Sequence, residues 1–256
     1  MGRRAPALSL LAVSTLLAGS ACGPGRGAAP SARQVASPTA DTLLLITIDT
    51  LRADHVGAYG YPAARTPTID SIARDGVRFG HALAPAPITL TSHASLLTGR
   101  YPPGHGARNN GMRMHQVPTL ATILRAKGFA TAAFVAAFPL DRRFGLAQGF
   151  ETYSDLLPRG SDGRPASERP ARIVADEAVA WLNAHPSGRL FVWVHFYEPQ
   201  ARYGSPSASN ARPPLERYDD EIAIADQEAG RVIAAIGPRG SSTLIVIAGD
   251  HGEAFG

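Results

Sequence analysis

Four apolar runs, each six or seven residues long, constrain the fold of this chain more than any other feature of its sequence. They span residues 43–48, 130–136, 190–195 and 243–248. None alternates regularly between apolar and polar residues, so each is predicted to be a strand buried on both faces. Strands of that kind occur mainly in parallel sheets.

Segments with helical periodicity lie between these runs. Residues 66–76 have proline at the first helical position, Pro67, and end in Gly76. Residues 117–128 also end in a glycine. Apolar stripes along 173–182 and 222–236 are typical of core packing. The alternation predicts an α/β fold, with a mostly parallel sheet in an αβα sandwich and functional groups beyond the carboxyl ends of the strands.

Residues 1–22 have the features of an export signal, with two arginines before an apolar run and small residues before Cys22. Cys22 is the only cysteine, so the mature domain is predicted to lack a disulfide, a cysteine zinc cluster and a catalytic thiol. Two outcomes stay open: cleavage after Ala21, or a lipidated Cys22 that attaches the protein to a membrane. Either predicts an exported protein, periplasmic or anchored as a lipoprotein.

Residues 23–40 are rich in Gly, Pro, Ala and Ser and are interpreted as a flexible linker before a domain at 41–256. The net charge of +4 comes from scattered arginines without a dense basic block, which argues against a nucleic-acid surface. Only eight residues follow the last apolar run. The domain is therefore predicted to be incomplete at its C-terminal end.

Acidic and imidazole side chains follow two of the predicted strands. Asp49 comes directly after residues 43–48, and Asp250 and His251 come just after 243–248. Carboxylate oxygens with an imidazole nitrogen suit a divalent cation. A single aspartate after a strand is more often a turn or cap residue, so the prediction depends on a third segment.

That third segment, residues 87–100, is rich in hydroxyl groups. Thr91 or Ser92 is predicted to cap a short helix, which places Thr89 just before its N-terminus. Free amides and the helix dipole would stabilise an anion there. The alternative interpretation is a capping segment without chemistry.

These segments carry a resemblance to a known family. Residues 44–55, which read Leu-Leu-Ile-Thr-Ile-Asp-Thr-Leu-Arg-Ala-Asp-His, resemble the first strand and metal ligand of sulfatases. Residues 96–106 resemble the tail of the sulfatase signature, and 249–253 the second metal-binding segment. From about residue 41 onward the chain resembles the sulfatases of the alkaline-phosphatase superfamily, which implies an alkaline-phosphatase-like fold and an ester hydrolase.

The resemblance implies a metal site and a nucleophile. Asp49, Asp250 and His251 match the metal ligands, and Thr89 stands where the signature carries its cysteine. Threonine cannot form the formylglycine aldehyde of sulfatases, so the chemistry would go through a Thr89 oxygen that also contacts the metal. Thr50 replaces a second aspartate, which implies one divalent cation, Ca²⁺ first, with Mg²⁺, Mn²⁺ or Zn²⁺ as alternatives.

The substrate side is less complete. Gln200 stands where sulfatases carry a substrate-binding histidine, and Arg100 ends the signature; both are candidate substrate-binding residues. His93 replaces the signature arginine and is a candidate catalytic residue that either contacts the substrate or orients Thr89. A histidine on the helix surface is the alternative. His195, inside a predicted strand, is interpreted as packed or hydrogen-bonded.

Three functions therefore follow from the sequence. The first is hydrolysis of a small-molecule or glycan sulfate ester through a covalent threonine intermediate. The second is the same chemistry on a phosphate or phosphonate ester, because a threonine nucleophile suits phosphoryl transfer. The third is an inactive fragment or binding module, favoured by Thr50 and Gln200.

Overall fold

The computed structural model describes residues 40–159, 163, 166–200 and 212–255. The predicted export signal, Cys22 and residues 23–39 of the predicted linker lie outside these residues. Within the described ranges, no helix has both the length and the apolar character needed to cross a bilayer.

A parallel sheet of five strands in the order β3-β2-β4-β1-β5 forms the centre of the fold. Its strands are β1 Thr42–Ile48, β2 Phe129–Val135, β3 Thr152–Ser154, β4 Arg189–Phe196 and β5 Thr243–Gly249. The four apolar runs thus match four strands to within one residue at each end. β3 was not predicted, because its three residues are too few to show a pattern.

Six α-helices connect the strands in the described part of the chain. They are α1 Pro67–Asp75, α2 Thr89–Thr98, α3 Pro102–His105, α4 Leu120–Ala126, α5 Ala171–Ala184 and α6 Pro214–Ala234. α4 begins later than the predicted 117–128, because Thr119 forms a capping box with Thr122 and so fixes the first turn.

The helices form two layers around the sheet. Apolar residues of α1, α5 and α6 pack on one face of the sheet, and those of α2 and α4 pack on the other. The prediction of an α/β sandwich with a mostly parallel sheet is confirmed. Side chains at the carboxyl ends of the strands therefore share one edge of the sheet, where the polar groups named above meet.

β5 differs from the other long strands in its burial. It pairs with β1 on one side and has no described partner on the other. Leu244 and Val246 remain 53% and 37% exposed, whereas Ile245 and Ile247 pack against the core.

Candidate active site

Asp49 and Asp250 leave neighbouring strands at the same level of the sheet. Ile48, the last residue of β1, pairs with Gly249, the last residue of β5, so each aspartate is the first residue beyond a paired strand end. Thr50 then turns the chain with a left-handed φ of 53°, a rare conformation for a β-branched residue. Its amide donates to Asp250 Oδ1 at 3.0 Å, which joins the two strand ends.

The two aspartates and His251 form a cluster suited to a cation. His251 Nε2 lies 3.5 Å from Asp49 Oδ1 and 3.6 Å from Asp250 Oδ2. Both of these carboxylate oxygens are buried and lack a hydrogen-bond partner among the described residues. Buried oxygens are normally satisfied, so an oxygen-binding cation fits this cluster well.

Thr89 completes the cluster from α2. Its hydroxyl donates to Asp49 Oδ2 at 3.4 Å. The Thr89 hydroxyl oxygen also lies 3.5 Å from His251 Nε2. The structure therefore brings together all four residues that the sequence assigned to the metal and the nucleophile.

α2 begins earlier than the sequence predicted. Ile88 is its N-cap, so Thr89 is the first helical residue, and neither Thr91 nor Ser92 is the cap. The cap comes instead from the loop beyond α3, because Asn110 Oδ1 accepts a hydrogen bond from the Leu90 amide at 3.0 Å. A cap that is distant in sequence leaves no local signal.

Ser92 is used differently from the prediction. Its hydroxyl donates to the backbone oxygen of Asp250 at 2.6 Å. Because Ser92 lies one turn along α2 from Thr89, this hydrogen bond fixes the helix that carries the hydroxyl to the strand end that carries the carboxylate.

His93 lies beneath Thr89 and is completely buried. Its Nδ1–H donates to the Thr89 backbone oxygen at 2.7 Å, and its Nε2 accepts from the Thr47 hydroxyl at 3.0 Å. Trp193 Nε1 donates to the same hydroxyl at 2.9 Å. Burial lowers the pKa of His93 to about 4, so the ring is neutral. A buried neutral ring favours the orienting role over contact with a substrate.

Burial also raises the pKa of Asp49 and Asp250, and repulsion from Asp49 adds to the effect on Asp250. His251 acts in the opposite direction on both carboxylates. Two buried carboxylates that both lie beside His251 are unfavourable as a pair of anions unless a cation balances their charge.

In the described structure no hydrogen bond or ion pair joins Arg100 or Gln200 to the cluster, and the buried Gln200 Oε1 has no hydrogen-bond partner there. Arg100 follows the C-terminal end of α2, about 16 Å along the helix from Thr89 by the rise per residue. It lines a cavity of about 420 Å³ with Tyr101 and Asp250, and the Asp250 side chain has no accessible surface. The backbone amide of Gln200 donates to the Tyr197 backbone oxygen at 3.0 Å.

Sequence reasoning missed the residues that support the cluster. Tyr218 on α6 donates to the Thr50 oxygen at 2.7 Å and accepts from the Arg52 amide at 2.9 Å, which braces the strained turn after Asp49. Asn110 supports α2 in a similar way from a separate loop. The contacts of Tyr218 cross more than 160 residues, so only the tertiary structure reveals them.

Comparison with known proteins assigns the chain to a family. A family model described as Sulfatase matches residues 41–256. The chain belongs to the sulfatase family. This family and its relatives are ester hydrolases, so the predicted class of protein is confirmed at that level.

Individual relatives cover the chain to different extents. The steryl-sulfatase of Mus musculus is 38% identical over 109 residues, which are 38% of this chain and 17% of that protein. The ulvan-active sulfatase of Formosa agariphila is 25% identical and aligns with 86% of this chain. That alignment covers 52% of the relative, so the chain spans about half of its length.

A solved structure supports the fold. The phosphonate monoester hydrolase of Agrobacterium radiobacter superposes with a TM-score of 0.67 and 21% identity, over 83% of this chain and 62% of that chain. At this identity the likeness concerns the fold.

Proposed function

We propose that this chain is the catalytic part of a metal-dependent sulfate ester hydrolase that uses Thr89 as a covalent nucleophile. The observation that supports this most is the position of the Thr89 oxygen, within 3.5 Å of both Asp49 and His251 at the first turn of α2. Membership of the sulfatase family supports the substrate class.

Asp49, Asp250 and His251 would hold one divalent cation, with the Thr89 oxygen as a further ligand. The carboxylate ligands suit Ca²⁺, which we place first, and also Mg²⁺ or Mn²⁺, while the imidazole suits Zn²⁺. Such an ion supplies Lewis acidity, which stabilises a deprotonated hydroxyl and offsets the charge on the ester oxygens.

The residues of the chain then divide the reaction between them. Thr89 directs its hydroxyl proton towards Asp49 Oδ2 and places its oxygen for attack on the sulfur. As the new O–S bond forms, the bond between the sulfur and the alcohol oxygen breaks, and the alcohol leaves with the proton that the Thr89 hydroxyl gave up. Water next attacks the sulfur of the sulfothreonine, releases hydrogen sulfate and restores the hydroxyl.

Two neighbouring groups would position the reactants. His93 holds the backbone of Thr89 by its hydrogen bond to the carbonyl oxygen. Asn110, at the N-terminus of α2, is close enough to Thr89 for its amide to contact an ester oxygen. The positive end of the helix dipole acts in the same direction.

A phosphate or phosphonate ester is the second candidate substrate. The observation that favours it is threonine at the position of the formylglycine cysteine, because a phosphothreonine is opened by attack at phosphorus without an aldehyde hydrate. The phosphonate monoester hydrolase shares the fold. An inactive binding module is the remaining outcome.

Turnover of 4-nitrophenyl sulfate, bis(4-nitrophenyl) phosphate and a phenylphosphonate ester would separate these functions. Our proposal predicts the highest kcat/KM for the sulfate, loss of activity after chelation and recovery with one equivalent of a divalent ion. A faster phosphorus ester would establish the second candidate. No turnover of any ester by a metal-loaded protein would favour the binding module.

We further propose that the protein is exported by residues 1–22 and acts outside the cytoplasm on a small-molecule or glycan ester. A lipidated Cys22 would attach it to a membrane. Intact mass of the mature protein decides between a free and a diacylated Cys22, and a cytoplasmic product that still begins at Met1 would contradict export.

A further inference from the structure

His195 is a buried histidine for which the mechanism above has no use. It lies one residue before the end of β4, where it pairs with Thr47 of β1 on one side and Val135 of β2 on the other. Its accessible surface is zero. It shares the α2 face of the sheet with Trp193, two residues earlier.

The hydrogen bonds of His195 define which ring nitrogen carries the proton. The Ala136 amide donates to Nδ1, at 3.4 Å. Nδ1 is therefore the acceptor, and in the neutral ring the proton sits on Nε2. A charged ring would carry a proton on Nδ1 as well, directed at the Ala136 amide, so the ring is neutral.

The Nε2 proton has no hydrogen-bond partner in the described structure. A buried donor without an acceptor is unfavourable, because it loses its hydrogen bonds to water and gains none in return. The neighbouring ring of His93, at 4.9 Å between centroids, offers no acceptor, because its Nδ1 donates to Thr89 and its Nε2 accepts from Thr47.

The carboxylate of Asp49 is the acceptor within reach. His195 Nε2 lies 3.7 Å from Asp49 Oδ2, and both side chains are fully buried. This is slightly beyond a hydrogen bond, so a small movement of Asp49 would close it. The other oxygen of the same carboxylate, Oδ1, is the one directed at His251 Nε2.

We infer that His195 is a positioning residue for Asp49: its Nε2–H holds Oδ2, so that Oδ1 stays directed at the cation position beside His251. This inference rests on the proposed function for its purpose, but the hydrogen bond itself can be measured without a metal. Groups of this kind, behind a metal ligand, orient the ligand and typically change metal affinity by 10–100-fold.

His195 could instead be a metal ligand itself, since it forms a possible metal-binding group with His93 and Asp250. A ligand must present a lone pair on Nε2, which would move the proton to Nδ1. That proton would then face the Ala136 amide, so two donors would oppose each other. The geometry therefore points to a donor and not to a ligand.

The inference is tested by titrating the wild-type chain, His195→Leu and His195→Gln with Mn²⁺ and measuring bound metal by electron paramagnetic resonance. Leucine should weaken Mn²⁺ binding at least about tenfold while the stoichiometry stays at one. Glutamine, which keeps an N–H donor, should recover most of the loss. Thr131→Val is the matched control, because it removes the hydroxyl of another buried side chain away from the cluster. That hydroxyl donates to the Gly149 oxygen and accepts from the Glu151 amide.

Unchanged Mn²⁺ affinity in His195→Leu would overturn the inference, and a stoichiometry that falls from two to one would make His195 a ligand. If the wild-type protein binds no metal, the proposed function fails, and histidine ¹⁵N NMR then decides the inference alone. It should show His195 as the Nε2–H tautomer, with a proton shift that changes in Asp49→Asn. An Nδ1–H tautomer, or a shift that ignores that substitution, would contradict it.

Discussion

β1 and β5 are paired neighbours, and each ends in a ligand of the candidate metal site, but they are held in different ways. β1 lies between β4 and β5, and the last five of its seven residues, Leu44 to Ile48, are all buried. β5 has one described neighbour, and its outer side chains Leu244 and Val246 are substantially exposed.

Polar contacts replace packing at the β5 half of the site. Asp49 continues the ladder, because its amide donates to the Phe196 oxygen at 3.0 Å, much like the residues of the strand before it. The Asp250 amide makes a longer hydrogen bond of the same kind, to the Ile48 oxygen at 3.4 Å. Ser92 adds a hydrogen bond to the Asp250 backbone oxygen, and the Thr50 amide adds one to its carboxylate. The comparison suggests that packing fixes one ligand and a small number of hydrogen bonds fixes the other.

The largest effect should come from Thr89, whose hydroxyl contacts Asp49 beyond β1 and His251 beyond β5. Thr89→Val removes the hydroxyl at nearly constant shape and should reduce kcat at least about a thousandfold, as expected for a nucleophile, while metal binding persists through the other ligands. Thr91→Val is the matched control, because its buried hydroxyl has no described partner. Equal loss in both variants would mean that helix packing, not nucleophilicity, is responsible.

Next in size is a carboxylate beyond the end of the central strand β4. Glu198 Oε1 accepts from the Ala171 amide at 2.9 Å, while Oε2 is buried without a described partner. Burial raises the pKa of Glu198 from 4.5 to about 7.

As the pH rises from about 4.5 to about 7, the unfolded chain releases this proton before the folded one. The wild type should therefore lose up to about 3 kcal/mol of stability over that window. Glu198→Gln keeps the helix acceptor and should remove this loss, so the variant is more stable above pH 7 and similar below pH 4.5. Urea unfolding at several pH values measures it, and parallel curves would contradict the assignment.

The two aspartates sharpen the comparison directly. Asp49→Asn and Asp250→Asn should each weaken Mn²⁺ binding at least about tenfold. Without metal, both substitutions should raise thermal stability near pH 8, because burial opposes the charged forms. Calorimetric titration and melting curves check both effects. Unchanged metal affinity in either variant would exclude that residue as a ligand.

The smallest effect concerns the anchor of β5. Ser92→Ala should lower the free energy of unfolding by about 1 kcal/mol and should reduce turnover. Thr98→Ala is the control, because it also removes a hydroxyl that donates to a backbone oxygen of α2, and it should reduce turnover less. Of these two hydroxyls, only that of Ser92 connects the helix to Asp250. Equal effects of the two substitutions on kcat would show that the β5 half needs no such anchor.

The sequence predicted most of the sheet and the grouping of the acidic and imidazole side chains for the same reason. Fully buried parallel strands are continuous apolar runs, and residues just beyond their ends must meet at one edge. Asp49, Asp250 and His251 could therefore be grouped from the order of strands and side chains along the chain.

What the sequence did not reveal depends on contacts between distant segments. Asn110 caps α2 from a loop, so the helix begins at Thr89 and not after it. His93 looked like a possible surface residue, yet it is buried under Thr89. A local pattern shows neither a partner across the fold nor the direction of a ring nitrogen.

The central claim is that Thr89 is the nucleophile, and a trapped intermediate tests it most directly. The metal-loaded protein would be incubated with an activated aryl sulfate or aryl phosphate, quenched in acid and digested for peptide mass spectrometry. The account predicts a sulfo or phospho group on Thr89, absent in Thr89→Val and retained in Thr91→Val. An adduct on Ser92, or full turnover by Thr89→Val, would contradict it.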